Sequence, residues 1–130
     1  MQKCKYLEDL GLKTEQYGTN FMPDDDKRAK KWAKERKKYG FDNREIWNLD
    51  RTFIEWIYTR VKMYKEYATI DMNFHKVKYK DNMITQGEGI DKILELAKEI
   101  LLDIENDELF YENVREICDL WKELLPYMWW

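Results

Sequence analysis

The apolar residues of this chain recur with the period of an α-helix in three long segments, and this recurrence constrains the fold more than any other feature. In residues 43–67 an apolar residue returns every three or four positions over roughly five turns. Two more such segments follow at residues 90–105 and 107–125. Because wide apolar faces bury themselves against one another, the sequence predicts an all-α or mainly α fold, a compact bundle of about four helices.

Three sets of residues carry these periods. The first segment contributes Ile46, Leu49, Phe53, Ile57, Val61 and Tyr64. The second contributes Ile90, Ile93, Leu94, Ala97, Leu101 and Ile104, and the third contributes Phe110, Val114, Ile117, Cys118, Trp121 and Leu125. Asp42 with Glu45, and Thr85 with Glu88, have the spacing of a capping box before the first two helices. Pro126 ends the last helix.

The other segments fit around this bundle within one domain, residues 1–130. Residues 1–22 lack a sustained period and predict a loosely structured arm with a short helical turn. Residues 23–39 predict a basic surface helix that Gly40 ends, and residues 40–130 predict the core bundle. The alternation around Val77 and Tyr79 fits a short β-hairpin with its turn near Asp81 and Asn82, or else an ordered loop.

Charge is distributed unevenly, although the formal net charge is only −3. Residues 27–38 hold eight basic residues and a single acid, Glu35, whereas residues 91–123 hold eleven acids and four bases. This polarity favours either an anionic partner at the N-terminal part or docking of the basic segment on the acidic helices of the same chain. The negative net charge makes bulk nucleic acid an unfavourable partner.

The composition indicates a soluble protein without a membrane partner. No run of about 18 uncharged apolar residues occurs, and the first residues contain no long apolar stretch. Cys4 lies in a polar stretch and Cys118 lies on an apolar helical stripe, which suggests free thiols in a reducing compartment. We therefore expect a cytoplasmic protein.

Two charged residues interrupt the apolar stripe of the first periodic segment. On a helical wheel Asp50 and Arg60 both lie among its apolar residues, and roughly 15 Å of helix axis separates them, so they cannot pair with each other. A buried charge needs a partner. Either Asp50 bonds to backbone amides or a lysine and Arg60 to an acid of the C-terminal helices, or both line a pocket with Trp47 or Trp56.

The opposite face of this segment combines cations with aromatic rings. It carries Arg44, Asn48, Arg51, Glu55 and Lys62, with Trp47 and Tyr58 at its border. A guanidinium fork and a flat ring are the groups that bind phosphate oxygens and bases. The alternative is a solvated face on which Arg51 pairs with Glu55. The candidate ligand-binding residues are Arg44, Trp47, Asp50, Arg51, Trp56 and Arg60, and the segment 27–38 is a further source of cations.

The sequence contains no recognisable catalytic constellation. Serine is absent, His75 is the single histidine, and "TQGEGIDK" lacks the spacing and the Lys-Ser/Thr pair of a phosphate-binding loop. Cys118 is predicted to be an inert core thiol. We expect no catalytic residue, no metal and no cofactor. An enzyme acting on nucleotides or nucleic acid with a metal held by carboxylates alone is the alternative.

The chain ends in "LLPYMWW". Two adjacent tryptophans are costly to expose to water, so Trp129 and Trp130 are predicted either to pack on this domain or to anchor an interface, including one between subunits of a homo-oligomer.

Two segments, "YGFDNREIWNLDRTFIEWIYTRVKMYKE" and the C-terminal "LLPYMWW", resemble a family of small proteins carried by tailed bacteriophages and prophages. The family pattern is a Gly-aromatic-Asp segment before an acid, Trp and Leu-Asp array, with a Met-Trp-Trp end. Trp47, Asp50, Arg60 and Trp129-Trp130 match this pattern, which spans residues 40–130. The resemblance implies an accessory protein in the cytoplasm of an infected bacterium.

Three functions are compatible with these observations. The first is a non-catalytic binding protein, self-associating, that counteracts antiviral defence by binding a host immune protein or by sequestering a small nucleotide signal. The second is the metal-dependent enzyme named above. The third is a virion or replication accessory protein.

Overall fold

The computed structural model describes residues 4–13 and 27–129. Over these residues the chain is 67% helical, which confirms the predicted mainly α fold. Its helices are α1 (Lys5–Glu8), α2 (Ala29–Tyr39), α3 (Arg44–Trp47), α4 (Leu49–Tyr67), α5 (Gln86–Leu102) and α6 (Asp107–Leu124). Strands β1 (Lys76–Tyr79) and β2 (Asn82–Thr85) lie between α4 and α5, and a short 3₁₀ helix, Leu125–Tyr127, follows α6. None of the described helices is long and apolar enough to cross a membrane.

The chain forms two units, Met1–Trp56 and Ile57–Trp130, and the division between them falls inside α4. The predicted domain over residues 1–130, with its core bundle at 40–130, stays a prediction. In the first unit α1 supplies the short helical turn expected in the N-terminal arm, and Tyr6 and Leu7 of this helix are buried. The start of the predicted basic helix, with Pro23, lies outside the described residues.

Helix α2 ends at Gly40, as the sequence predicted. Gly40 has a φ of 87°, in the left-handed region that favours glycine, and its N–H donates to the carbonyl oxygen of Arg36 at 2.9 Å. Most of the helix is exposed, but Trp32 is buried with 1% of its surface accessible. The prediction of a surface helix is therefore correct for its lysines, while its tryptophan belongs to the core of the first unit.

The long helix predicted over residues 43–67 is interrupted. Asn48 has φ −127° and ψ 62°, outside the helical region, and it separates α3 from α4. Because the two helices are not continuous, apolar residues on either side of Asn48 do not share one face. Ile46 and Leu49, which the sequence placed in the buried stripe, are 58% and 61% exposed.

The expectation that Asp50 and Arg60 are buried is wrong, because both are exposed. Burial in α4 begins only at Ile54 and follows the arc of Ile54, Ile57, Tyr58 and Val61. This arc is rotated away from the predicted stripe, so Arg60 falls outside it. Asp50 lies in the first turn, before burial begins, where a carboxylate suits the exposed amides and the partial positive charge of a helix start.

The second unit contains the predicted hairpin. β1 and β2 pair antiparallel, with Lys76 opposite Thr85 and Tyr79 opposite Asn82, and Lys80 and Asp81 form the connecting turn. Lys80 adopts the positive φ of 54° that such a tight turn requires. Val77 alone of the β1 side chains is buried, consistent with alternation along a strand.

Helices α5 and α6 form the main core of the second unit. Thr85 caps α5 through the predicted capping box with Glu88. Ile90, Ile93, Ala97 and Ile100 of α5, and Ile117, Leu120 and Leu124 of α6, are at most 1% exposed. Cys118 is exposed, so the prediction of a core thiol is wrong. It lies about 100° around α6 from the buried Ile117.

Candidate functional site

Asp42 is the centre of a hydrogen-bond cluster in the first unit, although the sequence suggested for it only a capping role. Its Oδ1 accepts from the backbone N–H of Arg44 at 3.1 Å and from Nε of Arg44 at 3.0 Å. Its Oδ2 accepts from Arg44 at 2.8 Å and from Arg36 at 2.7 Å. Helix α3 begins one residue later than predicted, with Asn43 at its N-cap.

Asp42 and Arg44 form a buried ion pair, since each side chain is only 5% exposed. Burial alone would raise the pKa of Asp42, but the hydrogen bonds from Arg44 and Arg36 outweigh it, so the pKa of this carboxyl is lowered from its ordinary value. The pair is therefore ionised at neutral pH. The bidentate contact also determines the orientation of the Arg44 guanidinium.

Trp32 joins this cluster to helix α2. The Arg44 guanidinium lies 4.3 Å from the centroid of the Trp32 ring, and the Trp32 Nε1–H donates to the side-chain oxygen of Asn43 at 2.9 Å. The backbone N–H of Asn43 in turn donates to the Glu35 carboxylate at 2.7 Å. Two residues of α2 thus hold the start of α3 by both side-chain and backbone contacts.

Trp47 also belongs to this cluster. Its ring meets that of Trp32 edge to face, with centroids 6.0 Å apart. The Arg28 guanidinium lies 5.2 Å from the centroid of each ring. Of the two rings only Trp47 is accessible, with 39% of its surface exposed. The first unit therefore contains a packed arrangement of two tryptophans and three arginines around one carboxylate, which we call the Trp-Arg cluster (Arg28, Trp32, Arg36, Asp42, Arg44, Trp47).

The predicted ligand-binding residues differ in burial and in hydrogen-bond partners. Arg44 was expected on the outward face but is buried and bonded to Asp42. Arg51 pairs with Glu55, Nε to Oε1 at 3.4 Å, which confirms the local pairing given as the alternative. Glu55 is itself 4% exposed, so the face expected to be solvated is partly buried.

The other predicted residues have different surroundings. Asp50 accepts a hydrogen bond from the backbone N–H of Arg51 at 2.8 Å. Trp56 is 45% exposed. Arg60 belongs to the second unit, where it donates to the hydroxyl of Thr59 at 2.9 Å. Arg44 and Trp47 share a contact with Trp32.

Sequence reasoning missed the residues that organise this cluster. Arg28 and Arg36 were counted only as charges of the basic segment 27–38, and Trp32 was not singled out. A signal was present, because Arg28, Trp32 and Arg36 are spaced four apart and therefore lie on one side of a helix. This side is opposite the lysines, and arginine is better suited than lysine to stack on rings and to chelate a carboxylate.

Large apolar side chains are exposed next to the cluster in sequence. Five of them occur between the end of α2 and the start of α4: Tyr39 at 59%, Phe41 at 47%, Ile46 at 58%, Trp47 at 39% and Leu49 at 61%. The rings of Tyr39 and Phe41 lie 6.4 Å apart. We call these residues the apolar group. Exposed aromatic and aliphatic side chains are the groups that anchor protein interfaces when they form a contiguous patch.

The C-terminal tail lies on the second unit. The hydroxyl of Tyr64 donates to the backbone oxygen of Trp129 at 2.9 Å, and Nε2 of the buried Gln86 donates to that of Tyr127 at 3.1 Å. The His75 ring stacks on Tyr127 with centroids 4.5 Å apart. The backbone at Trp129 is thus held while its side chain is 60% exposed. Trp130 lies outside the described residues, and its predicted interface role stays a prediction.

Within residues 4–13 and 27–129 no group of three or more His, Cys, Asp or Glu side chains is arranged to hold a metal ion. Comparison of the chain with protein-family models, with curated proteins and with solved structures found no match.

Proposed function

We propose that this protein is a non-catalytic binding protein of the phage accessory kind, and that it counteracts antiviral defence by binding a host immune protein in the cytoplasm of the infected bacterium. The observation that carries the proposal is the exposed apolar group, Tyr39, Phe41, Ile46, Trp47 and Leu49, held on an ordered framework. The phage setting comes from the sequence resemblance, and the binding role comes from this surface.

The framework matters because binding costs less free energy when the interface is already ordered. The Trp-Arg cluster joins α2 to α3 through the contacts of Trp32 with Arg44 and Asn43. Trp47 belongs to both the cluster and the apolar group, so its partly exposed ring is already oriented by its contact with Trp32. A rigid, partly exposed aromatic ring next to arginine is a frequent energetic centre of protein interfaces.

A protein partner fits this surface better than a nucleotide signal. Nucleotide binding was predicted to use the Arg44 guanidinium, which instead donates to both oxygens of the Asp42 carboxylate. A phosphate would have to displace that carboxylate from a buried pair, at a cost that the new contact must exceed. Apolar side chains such as Ile46 and Leu49 add affinity for a protein surface and none for phosphate.

A plating assay tests this function. The protein is expressed in bacteria that carry defined defence systems, and a phage sensitive to each system is plated. We expect the wild type to restore plating against a particular system, and the double variant Phe41→Ser with Leu49→Ser to lose this effect. Met83→Ser, a change at a side chain of the second unit that is 62% exposed, is the matched control and should act like the wild type.

A second experiment distinguishes binding from catalysis. The purified immune protein of the counteracted system is titrated with this protein, and its activity is measured. Inhibition that is complete at a molar ratio near one, together with a stable complex in size-exclusion chromatography, supports the proposal. Inhibition by a small fraction of an equivalent, or consumption of nucleotides in the presence of divalent metals, contradicts it.

A further inference from the structure

The two kinds of basic residue on α2 lie on different sides of the helix. At 100° per residue, Lys30, Lys31, Lys34, Lys37 and Lys38 fall within an arc of about 120°. All five are exposed, and we call this arc the lysine stripe. Trp32 and Arg36, which make the contacts within the first unit, lie on the opposite side. The Trp-Arg cluster therefore directs the lysine stripe toward solvent.

Helix α6 of the second unit carries a stripe of the opposite charge. Five of its six acids fall within an arc of about 80° around the helix: Glu108, Glu112, Glu116, Asp119 and Glu123. Glu108, Glu112 and Asp119 are exposed, while Glu116 is partly buried by its contacts with Tyr79 and Lys80. We call this arc the acidic stripe. Arg115 and Lys122 lie at its edge, and Lys122 is 3.8 Å from Asp119.

The acidic stripe is long enough to face the whole lysine stripe. Lys30 to Lys38 covers about 12 Å of helix axis, and Glu108 to Glu123 covers about 22 Å, at a rise of 1.5 Å per residue. The acids recur at intervals of three or four residues, and each turn of the lysine stripe carries at least one lysine, so both helices present charge about once per helical turn of 5.4 Å. Two such helices laid side by side would place opposite charges near one another over the whole lysine stripe.

We propose that the lysine stripe of one copy of this protein binds the acidic stripe of a second copy. The charges on the two helices carry this inference, which does not depend on the proposed immune function. Exposed ion pairs are individually weak and screened by salt, so self-association through these stripes is weak, reversible and sensitive to ionic strength. Each copy carries both stripes, so every copy can bind one neighbour through its lysine stripe and another through its acidic stripe.

The charge of the second unit favours a copy of this chain over a nucleic acid as the occupant. Counting Ile57–Trp130, fifteen acids and ten bases give a net −5, which repels a long polyanion that follows the lysine stripe past the rest of the chain. A second copy instead offers an acidic stripe of limited length. The lysines also lack the forked geometry with which arginine chelates phosphate.

Analytical ultracentrifugation over a concentration series tests the proposal on the full chain. Raising sodium chloride from about 50 mM to about 500 mM shortens the Debye length from roughly 14 Å to roughly 4 Å, so we expect the dissociation constant of self-association to rise at least about tenfold. Lys30→Glu with Lys34→Glu, and separately Glu108→Lys with Glu112→Lys, should each abolish association at low salt. Both pairs of positions are exposed, and circular dichroism verifies that each variant is folded.

Mixing the two charge-reversed variants is the decisive step. Each retains one native stripe that is complementary to the native stripe of the other, and their reversed stripes are complementary as well. We therefore expect an equimolar mixture to associate although neither variant does so alone. Lys76→Glu with Lys78→Glu, at exposed positions of β1, changes the net charge by the same amount as Lys30→Glu with Lys34→Glu and is the control that should associate like the wild type.

Several results would overturn the proposal. A wild type that is monomeric at low salt, including one whose basic segment docks within its own chain, contradicts it. Association that survives either reversal, a mixture that stays monomeric, or a β1 control that fails to associate also contradicts it. Retention of the wild type, but not of the lysine variant, on a 20-nucleotide DNA probe with no self-association would show that the stripe binds nucleic acid instead.

Discussion

The guanidinium of Arg44 lies 4.3 Å from the centroid of the Trp32 ring, so a charged side chain of α3 packs directly on an aromatic side chain of α2. Both residues are buried, with 4% and 1% of their surfaces exposed. A cation in such a site needs a carboxylate, and Asp42 supplies it through a bidentate contact. The local structure of the first unit therefore depends on three residues from two sequence segments.

Removal of the Asp42 carboxylate should be strongly destabilising. Asp42→Ala leaves the buried Arg44 without its anionic partner, and we expect the free energy of unfolding to fall by about 3 kcal/mol. Asp50→Ala is the matched control, because Asp50 is exposed and bonds only locally to the Arg51 amide. Asp50→Ala should lower the free energy of unfolding by about 0.3–1 kcal/mol, the usual contribution of an acid at a helix start. Urea denaturation measures both, and equal losses would contradict the assignment of Asp42 as the buried anion.

The stability that Asp42 contributes should be lost in acid. Its pKa is lowered in the folded state from an ordinary value of 3.8, so the unfolded state binds this proton first as the pH falls. The stability that Asp42 contributes is fully present above the pKa that its carboxyl has in the unfolded state. It disappears as the pH falls through the lower pKa of the folded state. The difference in unfolding free energy between the wild type and Asp42→Asn should therefore be constant from pH 7 to about pH 5 and shrink below about pH 4. A difference that grows toward low pH would be inconsistent with an ionised Asp42.

Tyr64 should hold the C-terminal tail through its hydroxyl group. Tyr64→Phe removes the hydrogen bond to the Trp129 backbone oxygen and should lower the unfolding free energy by about 0.5–1.5 kcal/mol. Tyr111→Phe, at a side chain that is 65% exposed, is the control and should have little effect. Limited proteolysis should also release the tail of Tyr64→Phe faster. Identical cleavage in the two variants would show that the hydroxyl does not anchor the tail.

Cys118 should react with thiol reagents in the folded protein, because its side chain is exposed on α6. Titration with a disulfide reagent under native conditions should detect a reactive thiol. Cys118→Ser should remove this reaction without a change in the circular dichroism spectrum. Cys4→Ser is the companion variant and should retain it. A native protein in which Cys118 reacts only after denaturant is added would place the thiol in the core, as the apolar period of the sequence suggested.

Local sequence signals were sufficient for much of the second unit. The existence of α5 and α6, the apolar period of α5, and the capping box of Thr85 with Glu88 were predicted and are present. The hairpin, predicted with its turn near Asp81 and Asn82 or else as an ordered loop, is present with its turn at Lys80 and Asp81. Of the period predicted for α6, only Ile117 is buried. These features depend on interactions between residues close in sequence, or on one apolar face that is continuous along a helix. Such interactions are encoded in the order of the residues and need no knowledge of other elements.

Tertiary structure decided which charged residues are buried. Asp42 and Asp50 are both acids near helix starts, and the sequence pointed to Asp50, yet the buried anion is Asp42. The difference arises because the chain leaves the helical conformation at Asn48, which ends the face that Asp50 was expected to share with Ile46. Helix α2 brings Arg36 to Asp42 and Trp32 to its partner Arg44, and contacts between separate segments leave no period in the sequence.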